Sequence, residues 1–444
     1  MKNFYILFLV VIITFLQFSC KSPTAPKSYR LSLSVSDISC TEAWIKLTVN
    51  NAPLPTNVVI KRNGNSIFSF NLTSSDTTVY DSTLFPNQTY IYQATYGKAY
   101  PTETSQTVTA KTMDTTSNNF SFQTFTFGAS NAGSSYLNDI AIINDNDIWA
   151  VGAVYLDSAD GAPDPNAYNA VQWDGSKWNL KRIFYYGNCS AVKYPPLRSI
   201  YIFSDNSIVV TNGGSVGWVN DDSVKLDCRV NPLLTGAINK IWGTSSNDFY
   251  VVGNGGSIAH YQNGLWQQIE SGTNLQFLDI YGVADPATGK QQILAVCSQN
   301  YPPGNGVFSI QGNTATEISS NFNSPGYPVL PELFSVWFVP NTRYYIAGDG
   351  IFEKHSLSDS QWNNGPHDIT RYGTASIRGT GLNDIFVAGS FGDFLHFNGV
   401  RWQSFTDKTS LPNGSYSRVA IKGNLIIAVG VNDARAVITM IKRQ

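Results

Sequence analysis

Gly379-Thr380-Gly381-Leu382-Asn383-Asp384-Ile385-Phe386-Val387-Ala388-Gly389 decides how this chain folds. A polar turn leads into a short apolar run, and the phrase continues through His396, Asn398 and Gly399 to Trp402. It stands again at Gly243–Trp266 and, with an insertion, at Asn146–Trp178. Asn146, Asn247 and Asn383 open the equivalent phrases, 101 and 136 residues apart. Those separations divide into two and three units of about 45 to 50 residues, the period of a repeat architecture. Degraded units fill the gaps near Leu197–Ile202, Phe277–Gly282 and Leu333–Phe338, and a last unit opens at Ser417–Ile421. The count is seven.

Each complete unit parses as four short strands. Around Asn247 these are Ile238–Gly243, Asp248–Gly253, Ser257–Tyr261 and, after an Asn263-Gly264 turn, Leu265–Ile269. Asn-Gly between alternating apolar runs is hairpin chemistry, because both residues tolerate positive φ. Four antiparallel strands per unit, with a Trp near the outer one, resemble a β-propeller blade. The last unit shows three strands, whereas Phe120–Phe127 stands before the first unit and resembles the fourth strand Trp402–Phe405. It is expected to complete the seventh blade, closing the ring and removing its exposed edges.

Upstream, residues 29–112 alternate in short runs. Ala43–Val49 contains Trp44, expected in a sandwich core, and Asn63-Gly64-Asn65 reads as a hairpin turn. Leu84-Phe85-Pro86-Asn87-Gln88-Thr89-Tyr90-Ile91-Tyr92-Gln93-Ala94 resembles the fibronectin type III signature, with Tyr90 as its tyrosine corner. Residues 113–119 are a polar linker, and 120–444 is the propeller. The expected fold class is therefore all-β, a fibronectin type III sandwich plus a seven-bladed β-propeller closed by an N-terminal strand.

Residues 1–19 resemble a bacterial lipoprotein signal peptide. Lys2 is followed by an apolar stretch from Phe4 to Phe18, short for a membrane span, and then by Cys20. The resemblance implies lipidation of Cys20, a tether over 20–28, and, from Lys21, the outer membrane or cell surface.

Charged residues are 14% of the chain and aromatics 13%, with a net charge of −2. A soluble domain averages about 25% charged residues. The balance suits a turn-rich extracytoplasmic β protein and excludes a basic nucleic-acid footprint. Cys40, Cys189, Cys228 and Cys297 fit no zinc spacing; Cys189 and Cys228 bracket one repeat and could bridge, with buried free thiols the expected state.

In such a unit, connections alternate between two faces. The long ones, 153–169, 184–196, 299–306, 319–332, 363–373 and 406–416, fall on one, while the other carries mainly tight links, with 284–291 as the exception. The long-loop face carries Tyr155, Tyr168, Tyr186, Tyr194, Tyr301, Tyr327 and Tyr372, and tyrosine gives broad contact at low entropy cost. These are the candidate binding residues, although any single one is expected to pack on its own loop. Asp157, Asp160 and Asp164 could hold calcium, but miss the EF-hand spacing and read as solvated acids. His260 and His396 share one repeat position and read as packing or hydrogen-bonding residues; Asp147, Asp248 and Asp384 are expected to fix turns. No nucleophile triad, phosphate loop or zinc motif is present.

The leading expectation is a membrane-tethered, non-catalytic protein that binds a protein or glycan through the long-loop face, with no cofactor. The rivals are a carbohydrate-active propeller enzyme with acids at the channel, and a structural part of a surface or secretion assembly. Carboxylates converging at the channel mouth would favour the enzyme.

Overall fold

A computed structural model describes residues 30–51, 54–97, 103–129, 132–185, 189, 192–286, 288–321, 331–365, 370 and 372–444. Cys20, Tyr186 and Tyr327 lie outside the described residues. The described chain is all-β, relieved by a 3-10 turn at Asn231–Leu233 and a single helical turn at Thr406–Thr409.

Contact density divides the chain into two compact units. One holds Ile45–Tyr80 and Tyr90–Ala110 with the strand before Asp37; the other holds Asp37–Trp44, Asp81–Thr89 and Lys111–Gln444. In the first, Ala43–Asn50 pairs between Arg30–Ile38 and Asp76–Asp81, and a second sheet carries Asn65–Leu72, Thr56–Arg62, Thr89–Tyr96 and Glu103–Thr104 in that order. Tyr90, Tyr92, Ala94 and Tyr96 are buried while Thr89 and Ile91 are exposed, the alternation of a half-covered strand. Asn63 (φ 49°) and Gly64 (φ 83°) make the two-residue turn, with Arg62 facing Asn65. Trp44 is buried and belongs to the second unit.

The second unit is a succession of four-stranded antiparallel meanders. Their inner strands are Tyr136–Asn144, Ser199–Ile202, Ile238–Ser245, Gln276–Ala284, Leu333–Val339, Thr374–Gly381 and Gly414–Lys422. The last sheet takes its outer strand from upstream: Phe120–Phe127 pairs antiparallel with Arg435–Arg443, from Phe120 opposite Arg443 to Phe127 opposite Ala436. Apolar burial is distributed between neighbours. One cluster joins the third and fourth sheets through Tyr250, Val252, Ile280 and Ala295. The series ends with a cluster joining the last sheet to the first, where Ile427 and Ile438 meet Leu137 and Ile148. Second strands are covered on both faces: every residue of Asp384–Gly389 is buried, as is every residue of Arg343–Gly348.

Small residues set the sheet spacing. A Cβ on Gly379 would stand 2.7 Å from the Trp337 ring of the preceding sheet, and one on Gly282 2.5 Å from Trp242. Gly379 and Gly282 are therefore seats for a neighbouring indole, whereas at Gly243 the same place is filled by Phe249.

Two expectations need correction. Residues 299–306 are no long loop: Gln291–Asn300 and Pro303–Gln311 form one extended hairpin with Tyr301 at its tip. The strands keep pairing because Ser298, Gln299 and Asn300 face Asn305, Gly304 and Pro303. Cys189 and Cys228 form a disulfide, with Cα atoms 5.7 Å apart, whereas Cys40 and Cys297 are buried free thiols. Burial pushes the Cys40 thiol up to about 11 and that of Cys297 to about 12, leaving both protonated at neutral pH.

Candidate functional site

One position of each inner strand, the residue before an Ile or Val, is polar, and at Asp139, Lys240 and Arg418 it borders the central channel. The residues at this position are Asp139, Ser199, Lys240, Asp279, Ser335, Ser376 and Arg418. Where the side chain can accept a hydrogen bond, it takes one from the backbone of the next sheet. Ile200 N–H donates to Asp139 Oδ2 (3.0 Å), Ile241 to Ser199 (3.3 Å), Val336 to Asp279 (3.1 Å), Ile377 to Ser335 (3.2 Å) and Val419 to Ser376 (3.2 Å). Each such bond satisfies a buried amide and ties two sheets together.

Lys240 and Arg418 cannot accept, so they break the pattern. Lys240 donates from Nζ to both oxygens of Asp139 at 2.6 Å. Burial pulls its ammonium below the usual lysine range, with the Asp139 charge opposing. Arg378, two residues beyond Ser376, grips Asp279 with two bonds of 2.9 and 3.0 Å. Burial alone would raise the Asp279 carboxyl, but the charges of Arg378 and Arg418 outweigh it and hold it far below the carboxylate range. Arg418 has no carboxylate partner among the described residues; it donates to the carbonyls of Leu278 (2.8 Å), Ser417 (3.0 Å) and Ala375 (3.3 Å). Lys240, Arg378 and Arg418 thus outnumber Asp139 and Asp279.

The channel opens at the end where the inner strands begin. A cavity of about 550 Å³ there is lined by Tyr136, Asn138, Arg198, Asn212, Asn239 and Arg418, among others. Asn212 belongs to a connection from a second strand to a third, so this mouth lies on the long-loop face. The opposite end is a cavity of about 390 Å³ bordered by Trp242, Trp337 and Tyr281.

The sequence-predicted tyrosines do not gather into one site. Tyr155 is half-buried, its amide bonded to Ser135 Oγ at 2.9 Å. Tyr168 and Tyr194 are half-buried around one cation: the Arg182 guanidinium lies 4.1 Å from the first ring and 5.7 Å from the second. Those two are held on Arg182, a residue outside both of their loops. Tyr301 is 94% exposed, and the Tyr372 ring lies against Phe391, centroids 4.6 Å apart and tilted by 52°, with both residues nearly half exposed. Phe391 is in the left-handed region (φ 56°), a conformation that costs a bulky residue about 1–3 kcal/mol. Its backbone is clamped there by a bond from its N–H to Gly414 O (2.8 Å) and one from Leu411 N–H (3.1 Å). Sequence reading missed Phe391 because it lies in a short connection.

The three loop acids do not converge on a cation site. Asp164 is ion-paired with Arg182, Asp160 accepts from Ala162 N–H at 3.1 Å, and Asp157 pairs its backbone with Pro163. No group of three metal-ligating side chains occurs among the described residues.

The repeat aspartates reach further than a turn. His260 Nε2 lies 2.7 Å from Asp248, and His396 Nε2 2.9 Å from Asp384, each across to the next strand. In the first sheet Gln172 plays the histidine's part, donating to Asp147 at 2.9 Å. Asp384 also takes a bond from Thr380 within its turn, at 2.6 Å. Burial lowers His396 below the usual histidine range, although Asp384 opposes it.

The channel polar positions were missed by sequence reading. Their signal is present: one polar residue before a β-branched one in every repeat.

No family model matches the chain, and no curated protein matches it. Solved structures resemble it in outline. "YCF48 bound to D1 peptide" aligns at 14% identity over 73% of this chain and 97% of that one, TM-score 0.49. The WD40 β-propeller domain of Doa1 aligns at 13% identity over 73% and 97%, TM-score 0.49. The extracellular domain of the putative one component system BT4673 from B. thetaiotaomicron aligns at 13% identity over 72% and 39%, TM-score 0.49.

Proposed function

We propose that this chain is a membrane-tethered, non-catalytic binding protein that engages a protein or glycan through its long-loop face. In this reading the closed succession of sheets is a seven-bladed β-propeller locked by its N-terminal strand. A fibronectin type III-like domain over 29–112 precedes it, and a lipid on Cys20 holds the protein at the outer membrane or cell surface.

The observation that carries the reading is the state of the channel acids. Glycoside chemistry needs one carboxyl that can hold a proton and another free to act on the sugar. Asp139 and Asp279 are each spent in a buried ion pair, with Lys240 and Arg378. A carboxyl held as low as Asp279 cannot serve as a general acid near neutral pH. The long-loop face meanwhile presents Tyr301 and the Tyr372–Phe391 pair to solvent.

A glycan array and a pull-down with the full chain test the reading. Retention of a ligand that is lost in Tyr372→Ala or Tyr301→Ala supports it. No ligand for this face, together with turnover of a polysaccharide, overturns it. Mass spectrometry of mature Cys20 tests the tether, and an unmodified Cys20 refutes it.

A further inference from the structure

We infer that the channel mouth on the long-loop face is a carboxylate site for an acidic sugar, a uronate residue of a glycan. This rests on the binding reading above and specifies its ligand. Two guanidiniums stand at the mouth. Arg418 is bonded to backbone carbonyls, and Arg198 donates to the Asn239 side-chain oxygen at 3.1 Å; neither has a carboxylate partner among the described residues. The channel's own carboxylates bond to neither, since Lys240 takes Asp139 and Arg378 takes Asp279 in two-bond contacts. Among the described residues, no acidic side chain lines the mouth. A guanidinium fork matches a carboxylate's two oxygens, and both charged partners strengthen the bonds.

Arg198 is held in place rather than swept through solvent. A Cβ on Gly213 (φ +99°) would stand 3.0 Å from the Arg198 Cδ, so the turn at Asn212–Gly214 lies directly against its stem. Asn239, which accepts from Arg198, is itself pinned by bonds to Asn254 (2.6 Å) and Phe277 O (2.9 Å).

The rest of the lining favours a sugar over a peptide. Asn138 donates to Leu197 O, and Asn212 accepts from Gly214 and Ser215. That leaves the Asn138 side-chain carbonyl and the Asn212 amide without a partner among the described residues, and the Tyr136 hydroxyl at the same mouth is in the same state. Such mixed donors and acceptors suit vicinal hydroxyls. A cavity of about 550 Å³ is the size of a small-ligand site. Its apolar lining is limited to Pro195, Pro196 and Leu278, with no large aliphatic cluster of the kind that anchors protein contacts.

The test is calorimetric titration of the full chain with trimers of galacturonate, glucuronate, mannuronate and guluronate, each beside its methyl ester. The expected result is binding of at least one trimer, weakened at least tenfold by esterification and at least tenfold by Arg198→Gln. Arg418→Gln should do the same, but it also removes backbone bonds, so the exposed Arg198 is the deciding position. Leu265→Ala, an exposed change at a turn on the opposite face, should leave uronate binding unchanged. Binding of no trimer, or equal binding of acid and ester, overturns the inference. So does an acidic peptide, hexaglutamate, binding where every trimer fails. A glycan or protein lost on Tyr301→Ala or Tyr372→Ala yet indifferent to Arg198→Gln refutes the mouth site and leaves the binding reading standing.

Discussion

Removing one charge from the channel should unfold the sheets it ties together. Asp279 is fully buried and its carboxylate accepts four bonds: Ser335 Oγ at 2.6 Å, Val336 N–H at 3.1 Å and two from Arg378 at 2.9 and 3.0 Å. Asp279→Asn keeps the shape but aims an amide donor at a guanidinium and leaves that cation without its partner. Breaking a buried pair from one side costs about 3–5 kcal/mol. For a unit the size of Lys111–Gln444, at about 1.5 °C per kcal/mol, the midpoint should fall by about 4–8 °C. Thermal unfolding followed by near-ultraviolet circular dichroism reads this directly. Arg378→Met should cost as much, by stranding the carboxylate. The double variant removes both charges and should be far more stable than the sum of the two losses predicts.

Acid separates the cases further. Asp279 is depressed in the fold, so its contribution is complete well above the unfolded value of about 3.9 and is lost progressively as pH falls from there through the folded one. In Arg378→Met the carboxyl moves upward, so acidification from pH 7 to 3 costs the variant less and the gap to wild type narrows. Single variants melting within 2 °C of wild type, or strict additivity in the double, would refute a coupled channel pair.

Three further outcomes are expected. Gly379→Ala would set a Cβ 2.7 Å from Trp337 and 2.9 Å from Asp384 O, an overpacking that costs about 1–3 kcal/mol; urea midpoints should show it, with Trp337→Phe restoring part and Gly381→Ala nearly silent. His396→Gln should keep the Asp384 bond, as Gln172 does for Asp147, at a cost of about 1 kcal/mol. Because His396 is depressed, wild type loses stability as pH falls below about 6.5 and the glutamine variant does not; the gap between their urea midpoints should therefore be wider at pH 7.5 than at pH 5. Cys228→Ser opens a bridge spanning 39 residues and should cost about 3–4 kcal/mol, read as a drop in urea midpoint matched by reductant on wild type.

The Asn-Asp-apolar phrase, the Asn-Gly turns and the orphan Phe120–Phe127 were legible in the sequence because strand period and turn chemistry are local. So were the equivalences of Asp248 with Asp384 and of His260 with His396, since a repeat places like residues in like surroundings. Their mutual bonds were not read, although both residues of each pair lie on adjacent strands 12 residues apart. The extended hairpin around Tyr301 was misread because Pro302 and two glycines look like loop composition.

The phrase Gly379–Gly389 determined the strand order, the repeat and, through Gly379, the spacing between sheets. Only the tertiary structure decided what the channel holds. Asp139 meets Lys240 across 101 residues and Asp279 meets Arg378 across 99. Those pairings depend on where each sheet stands around the centre, a distance that no local pattern of strands and turns specifies. The same is true of Arg198 and Arg418, to which no carboxylate among the described residues bonds directly: a charge is left without its own ion pair only by virtue of which neighbours the closed arrangement gives to the others.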